Sequence, residues 1–172
     1  PVLWGAGRNG KDTLLEGVTH ALGGLAKAVA AEVLLSVGRN PGAASPQIYG
    51  LRSLLLAFIS ETSEGARLDT GVVKLLTGGG KIPCRPLYGK PTEFQPHYLL
   101  MLITNFMPHV SAYDYAMWKR LILIPFKLSF LDDPEEDHER KRDPLLGLLL
   151  KSGAAGILAW LVRGCLEWQR HG

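Results

Sequence analysis

Seven residues, Gly5-Ala6-Gly7-Arg8-Asn9-Gly10-Lys11, combine three glycines with a terminal lysine. That spacing suits a polyphosphate. Glycines let successive backbone N–H groups converge on phosphate oxygens with no Cβ in the way. The lysine adds a full positive charge, and a helix beginning there adds the positive end of its dipole. Such loops usually continue with Ser or Thr, whose hydroxyl binds magnesium. Here Asp12 follows the lysine, and Thr13 comes one residue later. Aspartate is a legitimate magnesium ligand, but it brings a negative charge close to the phosphates. At an effective dielectric of about 20, two unit charges ~4 Å apart repel by about 4 kcal/mol. The expected nucleotide-binding residues are Gly5, Ala6, Gly7, Arg8, Asn9, Gly10, Lys11, Asp12 and Thr13. The plainer alternative is a glycine-rich turn carrying a surface lysine.

Two more polar residues stand where chemistry is expected. Glu61 follows the apolar run "LRSLLLAFIS" and Asn105 follows "YLLMLIT". Open α/β sheets place their ligand-binding groups at the C-terminal ends of strands. Glu61 there can organise a magnesium ion or polarise an attacking water. A strand-end carboxylate can also simply reach solvent. Two polar strand ends converging beside one phosphate loop are harder to attribute to chance.

The intervening residues define the elements that must position this chemistry. Val2, Leu3 and Trp4 read as the end of a buried strand. Leu14, Leu15, Val18, Ala21 and Leu22 recur at helical spacing until Gly23-Gly24 stops the helix. Residues 28–35 fit either strand or helix, and 36–47 have the composition of a loop. The continuous apolar run 51–60 predicts a strand buried on both faces of a parallel sheet. Residues 67–76 read as a helix ended by "TGGG". Residues 81–104 read as an extended arm, a Gly/Pro-rich tip and a long returning strand. A short helix over 112–120 precedes an apolar strand over 121–126. Two further helices come after the acidic stretch, the second amphipathic through Ile157, Leu158, Leu161, Val162, Cys165 and Leu166. Strand, helix, strand, helix, strand in this order predicts an α/β three-layer fold with a central, mainly parallel sheet.

The chain has 172 residues, one domain's worth, with 47% apolar and 20% charged residues. No apolar run is long enough to span a membrane, and no signal peptide is visible. Pro1 stands at or inside the first strand, so the sequence reads as a piece of a longer protein. Cys84 and Cys165 are far apart with no ligand-spaced companions, which argues for reduced cysteines and a cytoplasmic setting. Net charge is +3, unevenly spread. Residues 132–143, "DDPEEDHERKRD", hold seven acids and three bases, leaving sixteen bases against nine acids elsewhere. A basic body with one acidic, solvated loop suits a nucleic-acid partner and also suits many nucleotide-binding proteins.

Three stretches together carry a family resemblance: "GAGRNGKDTLL" at 5–15, "ETSEGARLDTGVVKLLTGGGKIPCRPLYGKPTEFQPHYLLMLITNFMP" at 61–108, and "DYAMWKRLILIPFKLSF" at 114–130. They resemble the helicase domain of phage and plasmid primases, a group of superfamily 3 helicases. The likeness runs from about residue 3 to 130 and continues weakly into "GILAWLVRGCLEW". It implies an AAA+-like P-loop NTPase fold with a protruding β-hairpin and C-terminal helices. Residues 1–130 would be the ATPase core, 131–143 the acidic loop and 144–172 a C-terminal helical segment.

The resemblance also implies roles. Lys11 would bind phosphate, Glu61 would be the Walker B acid and Asn105 would sense the γ-phosphate. Arg120 would be an arginine finger offered to a neighbouring subunit; its plainer reading is a helix-end arginine binding carbonyls. Magnesium would come with ATP, held by Asp12 and Glu61. The segment 81–98 corresponds to a hairpin pointing into a ring's channel. There Lys81, Arg85 and Lys90 would track the DNA backbone, and Tyr88 or Phe94 would be available for stacking. Lys74 would serve either DNA or the subunit interface. The family usually has Ser or Thr at Asp12 and tends to have Asp at Gly80.

The expected function is therefore an ATP-dependent DNA helicase of a phage- or plasmid-type primase–helicase. It would act as a homo-oligomeric ring, commonly a hexamer, on single-stranded DNA in a bacterial cytoplasm, with a primase domain upstream and no membrane partner. One rival is a degenerate prophage copy that binds nucleotide or DNA and assembles without efficient turnover, motivated by Asp12 and Gly80. A second rival, a small-molecule kinase, would need an arginine-rich lid, and "PLYGKPTEFQP" argues against it.

Overall fold

The structure, a computed structural model, describes residues 1–35, 44–60, 67–110 and 113–171. Strand β1 (Val2–Trp4) enters the glycine loop, and helix α1 (Lys11–Leu22) leaves it. Next come β2 (Ala26–Ala28), the short helix α2 (Pro46–Gly50), β3 (Leu56–Ser60) and α3 (Thr70–Thr77). A hairpin of β4 (Ile82–Cys84) and β5 (Thr92–Phe94) precedes β6 (Leu99–Thr104), α4 (Tyr115–Trp118) and β7 (Leu123–Pro125). The chain continues as β8 (Ser129–Leu131), β9 (Glu139–Lys141), α5 (Leu146–Ser152) and α6 (Ala154–His171).

The five-stranded central sheet has the order β2-β3-β6-β1-β7, and every pairing in it is parallel. The β1–α1–β2 crossover passes over β6 and β3, whereas β3–α3–β6 steps back toward β1. Right-handed crossovers in opposite directions put their helices on opposite faces. The fold is thus the predicted three-layer α/β arrangement with C-terminal helices. On the α3 face, Val2, Ala57, Ile59 and Leu102 share a core with Leu51, Leu54, Val73, Leu76 and Met117. Leu3, Leu56 and Ile103, displaced by one residue, are also buried and belong to the other pleat face. On α1, Gly17 makes room for the outer helices: a Cβ there would touch Leu150 and Ile157 at 3.4 Å. A Lys151–Glu16 ion pair of 2.5 Å ties α5 to α1.

Four differences from the sequence reading have physical causes. The strand expected over 51–60 begins at Leu56, because Leu51–Ser53 form a single 3-10 turn that buries Leu51 and leads to the buried Leu54. The ambiguous 28–35 segment divides, with a strand over Ala26–Ala28 and a turn over Ala31–Val33. The returning strand of the arm is interrupted after Phe94. Pro96 lacks the N–H a continuous ladder would need. The acidic stretch forms β9, paired with β8 along Ser129↔Glu139 to Leu131↔Lys141. Among the described residues, no single helix is long and apolar enough to cross a membrane.

Candidate nucleotide site

The sheet register brings three strand ends to the glycine loop. Trp4 pairs with Thr104 on one side and with Pro125 on the other. The chain leaving β1 therefore runs between Asn105 and Phe126. Lys11 folds back over this junction. Its Nζ donates to the carbonyl oxygens of Gly5 (2.7 Å) and Ala6 (3.2 Å) and to the amide oxygens of Asn9 (3.0 Å) and Asn105 (3.1 Å). An ammonium only donates, so both amides must present oxygen. Lys11 is 3% exposed. That burial lowers its pKa below the ordinary lysine value, and the charge of Asp12 partly opposes the shift.

The loop's shape requires its residues. A Cβ at Gly5 would lie 2.2 Å from the Phe126 carbonyl oxygen, so no side chain fits there. Gly10 has φ 85° and caps α1, a left-handed position that favours glycine. Arg8 also has a positive φ, 61°. The chain after β7 holds this loop in place. Phe126 N donates to Trp4 O (2.7 Å), and Phe130 N donates to Arg8 O (2.8 Å). Asn9 Nδ2 reaches the Phe126 carbonyl at 3.4 Å while its Oδ1 serves Lys11. The buried Thr104 hydroxyl bonds both backbone groups of Phe106, which fixes the turn that presents Asn105.

Beside the loop lies a cleft of about 1340 Å³. Arg8, Gly10, Asp12 and Thr13 form one wall, and Phe130, Leu131, Arg142 and Asp143 face them. Ligand pockets of roughly 300–1,000 Å³ accommodate drug-sized molecules, so a nucleotide fits. The lining holds five carboxylates (Asp12, Glu16, Asp132, Asp133, Asp143) against Arg8, Lys127 and Arg142. A triphosphate entering it needs an accompanying cation. Among the described residues, no three His, Cys, Asp or Glu side chains are grouped to hold a metal alone. A magnesium ion accompanying a nucleotide takes most of its ligands from water and phosphate and one or two from carboxylates. Asp12 is exposed in the first turn of α1 and lines the cleft, so it is available as such a ligand.

No protein-family model matches the chain. Individual proteins do. The chain is 28% identical to a protein named "Putative helicase" of Acanthamoeba polyphaga mimivirus, over 99% of this chain and 19% of that protein. It is 31% identical to one so named of Frog virus 3, over 74% of this chain and 14% of that protein. A third so named, of Invertebrate iridescent virus 3, is 28% identical over 82% of this chain and 16% of that protein. The chain thus spans less than a fifth of the length of these relatives. Two apo structures of the NrS-1 C-terminal region share the fold. Their TM-scores are 0.57 and 0.59 at 13% and 15% identity, over 91% of this chain and about a third of each of those chains.

The remaining predicted residues separate into groups. Glu61 lies outside the described residues. Arg120 makes none of the Lys11 contacts. It follows α4, where its Nη1 bonds the Ala116 carbonyl at 2.7 Å, and its Nε is buried without a hydrogen-bond partner among the described residues. Lys74 is not a free surface base, because it forms a 2.7 Å ion pair with Asp114. Lys81 pairs with Glu93 across the hairpin at 2.5 Å, and Arg85 Nε bonds the Gly89 carbonyl at 3.2 Å. Lys90 stands near the tip and is exposed. Gly80 has open space around it, so the family's aspartate would fit there without a clash.

Sequence reasoning missed Phe126, Phe130 and the acidic stretch as parts of this site. Their only signal was an aromatic directly after a strand and a charge run, neither of which names a partner. It also missed Asp114, which both caps α4 through Met117 N (3.0 Å) and holds Lys74. The Lys74 hydrogen bond, with help from Met117 N–H and the Arg120 charge, holds the Asp114 carboxyl below the usual range. With the folded pKa depressed, this contribution to stability is complete above the unfolded value of about 3.9. It is lost as pH falls through the lower folded value. Asp114→Ala is expected to lower the thermal midpoint by about a few degrees at pH 7. The difference from the parent should shrink below about pH 4, as read by melting curves across pH.

Proposed function

We propose that this chain is the ATP-hydrolysing part of a DNA helicase or translocase. One observation carries the reading: the loop lysine and a strand-end asparagine from the neighbouring strand meet at 3.1 Å beside a nucleotide-sized cleft. The helicase names of the similar viral proteins supply the direction. Phosphate oxygens are stronger acceptors for an ammonium than carbonyls or amides. ATP entering the cleft would therefore draw Lys11 away from Gly5, Ala6, Asn9 and Asn105. Asn105, released from Lys11, could then bond the γ-phosphate or the attacking water. Asp12 and Glu61 would hold magnesium, which neutralises charge on the β- and γ-oxygens. Phosphoryl transfer calls for positioning and charge stabilisation more than covalent chemistry, and Lys, Asn, Glu and Arg supply both.

Arg120 would complete the site of a neighbouring copy in a ring, by the family's pattern a hexamer. The hairpin would carry Lys90 and Arg85 to single-stranded DNA. The deciding experiment measures ATP hydrolysis with and without single-stranded DNA. Turnover raised severalfold by DNA supports the reading; failure to bind ATP at all overturns it.

Asp12 supports a second reading, a copy that binds nucleotide and assembles with poor turnover. The added carboxylate in an already acidic cleft disfavours a triphosphate by about 1–4 kcal/mol before magnesium compensates. Asp12→Ser is therefore expected to tighten ATP binding or raise turnover by about tenfold, measured by nucleotide titration and steady-state hydrolysis. Unchanged or lower values would mean that Asp12 is an adapted metal ligand.

A further inference from the structure

We propose that Tyr88, at the tip of the β4–β5 hairpin, stacks on an unpaired base of single-stranded nucleic acid. The proposal rests on the reading of the hairpin as a DNA-contacting arm. It chooses between two aromatics that the sequence left equivalent. Phe94 is half-buried and packs against the hydrophobic core from the foot of β5. Tyr98, further on, is half-buried and donates its hydroxyl to the Leu76 carbonyl at 3.1 Å. Neither ring is available to a ligand. Tyr88 is 96% exposed.

Two costs fall on this one residue. Its ring gains no burial from the fold. Its backbone sits at φ 58°, a left-handed conformation that disfavours a bulky side chain. The next residue is Gly89, so the turn has a glycine at hand and still places the tyrosine in the left-handed position. Gly89 N closes the turn on the Pro86 carbonyl at 3.1 Å. Non-glycine residues in such conformations cluster at ligand contacts. Among the described residues nothing offsets either cost, and a contact with a ligand would.

The surroundings identify its chemistry. Between Cys84 and Thr92 the tip carries Arg85 and Lys90 and no acid, while Glu93, at the foot, is engaged by Lys81. A flat, accessible ring on a basic tip matches a base on a phosphodiester strand. Base–aromatic stacking needs no sequence readout, because every base has a π-face.

The test uses the intact chain with ATP and a fluorescently labelled thymidine 20-mer, compared with the same strand made abasic. Tyr88→Ala should weaken binding to the 20-mer by about 5- to 150-fold, the range for one stacked base. Its salt slope should stay at the parent's value. Tyr88→Phe should bind like the parent, and the abasic strand should not distinguish parent from Tyr88→Ala. Tyr88→Gly should lose the same affinity while melting at or above the parent's midpoint, since glycine relieves the backbone. Lys90→Ala should weaken both strands and reduce the salt slope. If Lys90→Ala weakens binding and Tyr88→Ala does not, the arm reading stands and stacking is overturned. An equal loss on the abasic strand also overturns stacking. If neither variant changes binding, the arm reading itself fails and the proposal fails with it.

Discussion

Lys11→Ala is expected to lower ATP turnover by about 10²–10³-fold or more, the loss typical when one preorganised charge at a reacting centre is removed. Nucleotide affinity should fall as well, because in the proposed reading the ammonium would meet the phosphates in the bound state and in the transition state alike. Within the chain this group is already saturated by Gly5, Ala6, Asn9 and Asn105. Removing it takes the stronger donor from the buried Asn9 Oδ1, which keeps only the Lys11 backbone N–H at 3.4 Å, and leaves the exposed Asn105 to solvent, so a modest fall in thermal midpoint should accompany the kinetic loss. Lys11→Met, which keeps most of the side chain's bulk, separates the two effects. It should melt closer to the parent and hydrolyse no better than the alanine variant. A methionine variant that retains turnover would remove Lys11 from the site.

Arg120→Ala is expected to abolish hydrolysis with nucleotide binding nearly intact, since an arginine supplied in trans contributes about 10³–10⁵ in turnover. Within the single chain, Arg120 bonds the Ala116 carbonyl of the preceding helix and makes none of the Lys11 contacts. The role proposed for it in hydrolysis would therefore fall on another copy's nucleotide. Mixing Arg120→Ala with Lys11→Ala should then restore some hydrolysis, at interfaces that join an intact loop to an intact arginine. The measurement is steady-state hydrolysis across mixing ratios, with assembly monitored by sedimentation. Mixed assemblies that form and stay inactive would return Arg120 to the plain role of a helix-end arginine.

The sequence alone determined those features whose causes are local. Gly5 to Lys11 specify a turn that only glycine geometry can build, and the spacing of Leu14, Leu15, Val18 and Leu22 specifies the helix after it. Apolar runs ending at Ser60 and Thr104 specified two strands and marked Asn105 as a strand end; Glu61 was marked the same way and lies outside the described residues. Local pattern also supplied the alternation of strand and helix that predicts a parallel three-layer fold.

Tertiary structure decided where those ends meet. Asn105 reaches Lys11 across 94 residues only because β6 pairs with β1 in the register Trp4↔Thr104. A one-residue slip would have turned the adjoining side chains to opposite faces. The same holds for charge. Lys74 and Lys81 read as free bases in sequence, and both are neutralised by acids 40 and 12 residues away. The acidic stretch that looked like a solvated loop lines the cleft, because β8 is hydrogen-bonded to the glycine loop at Arg8. Of the two aromatics in the arm, burial claimed Phe94 and left Tyr88 exposed. Strand ends, turns and helix phases are set by neighbours in sequence. Ion-pair partners and solvent exposure are set by neighbours in space, which only the folded sheet supplies.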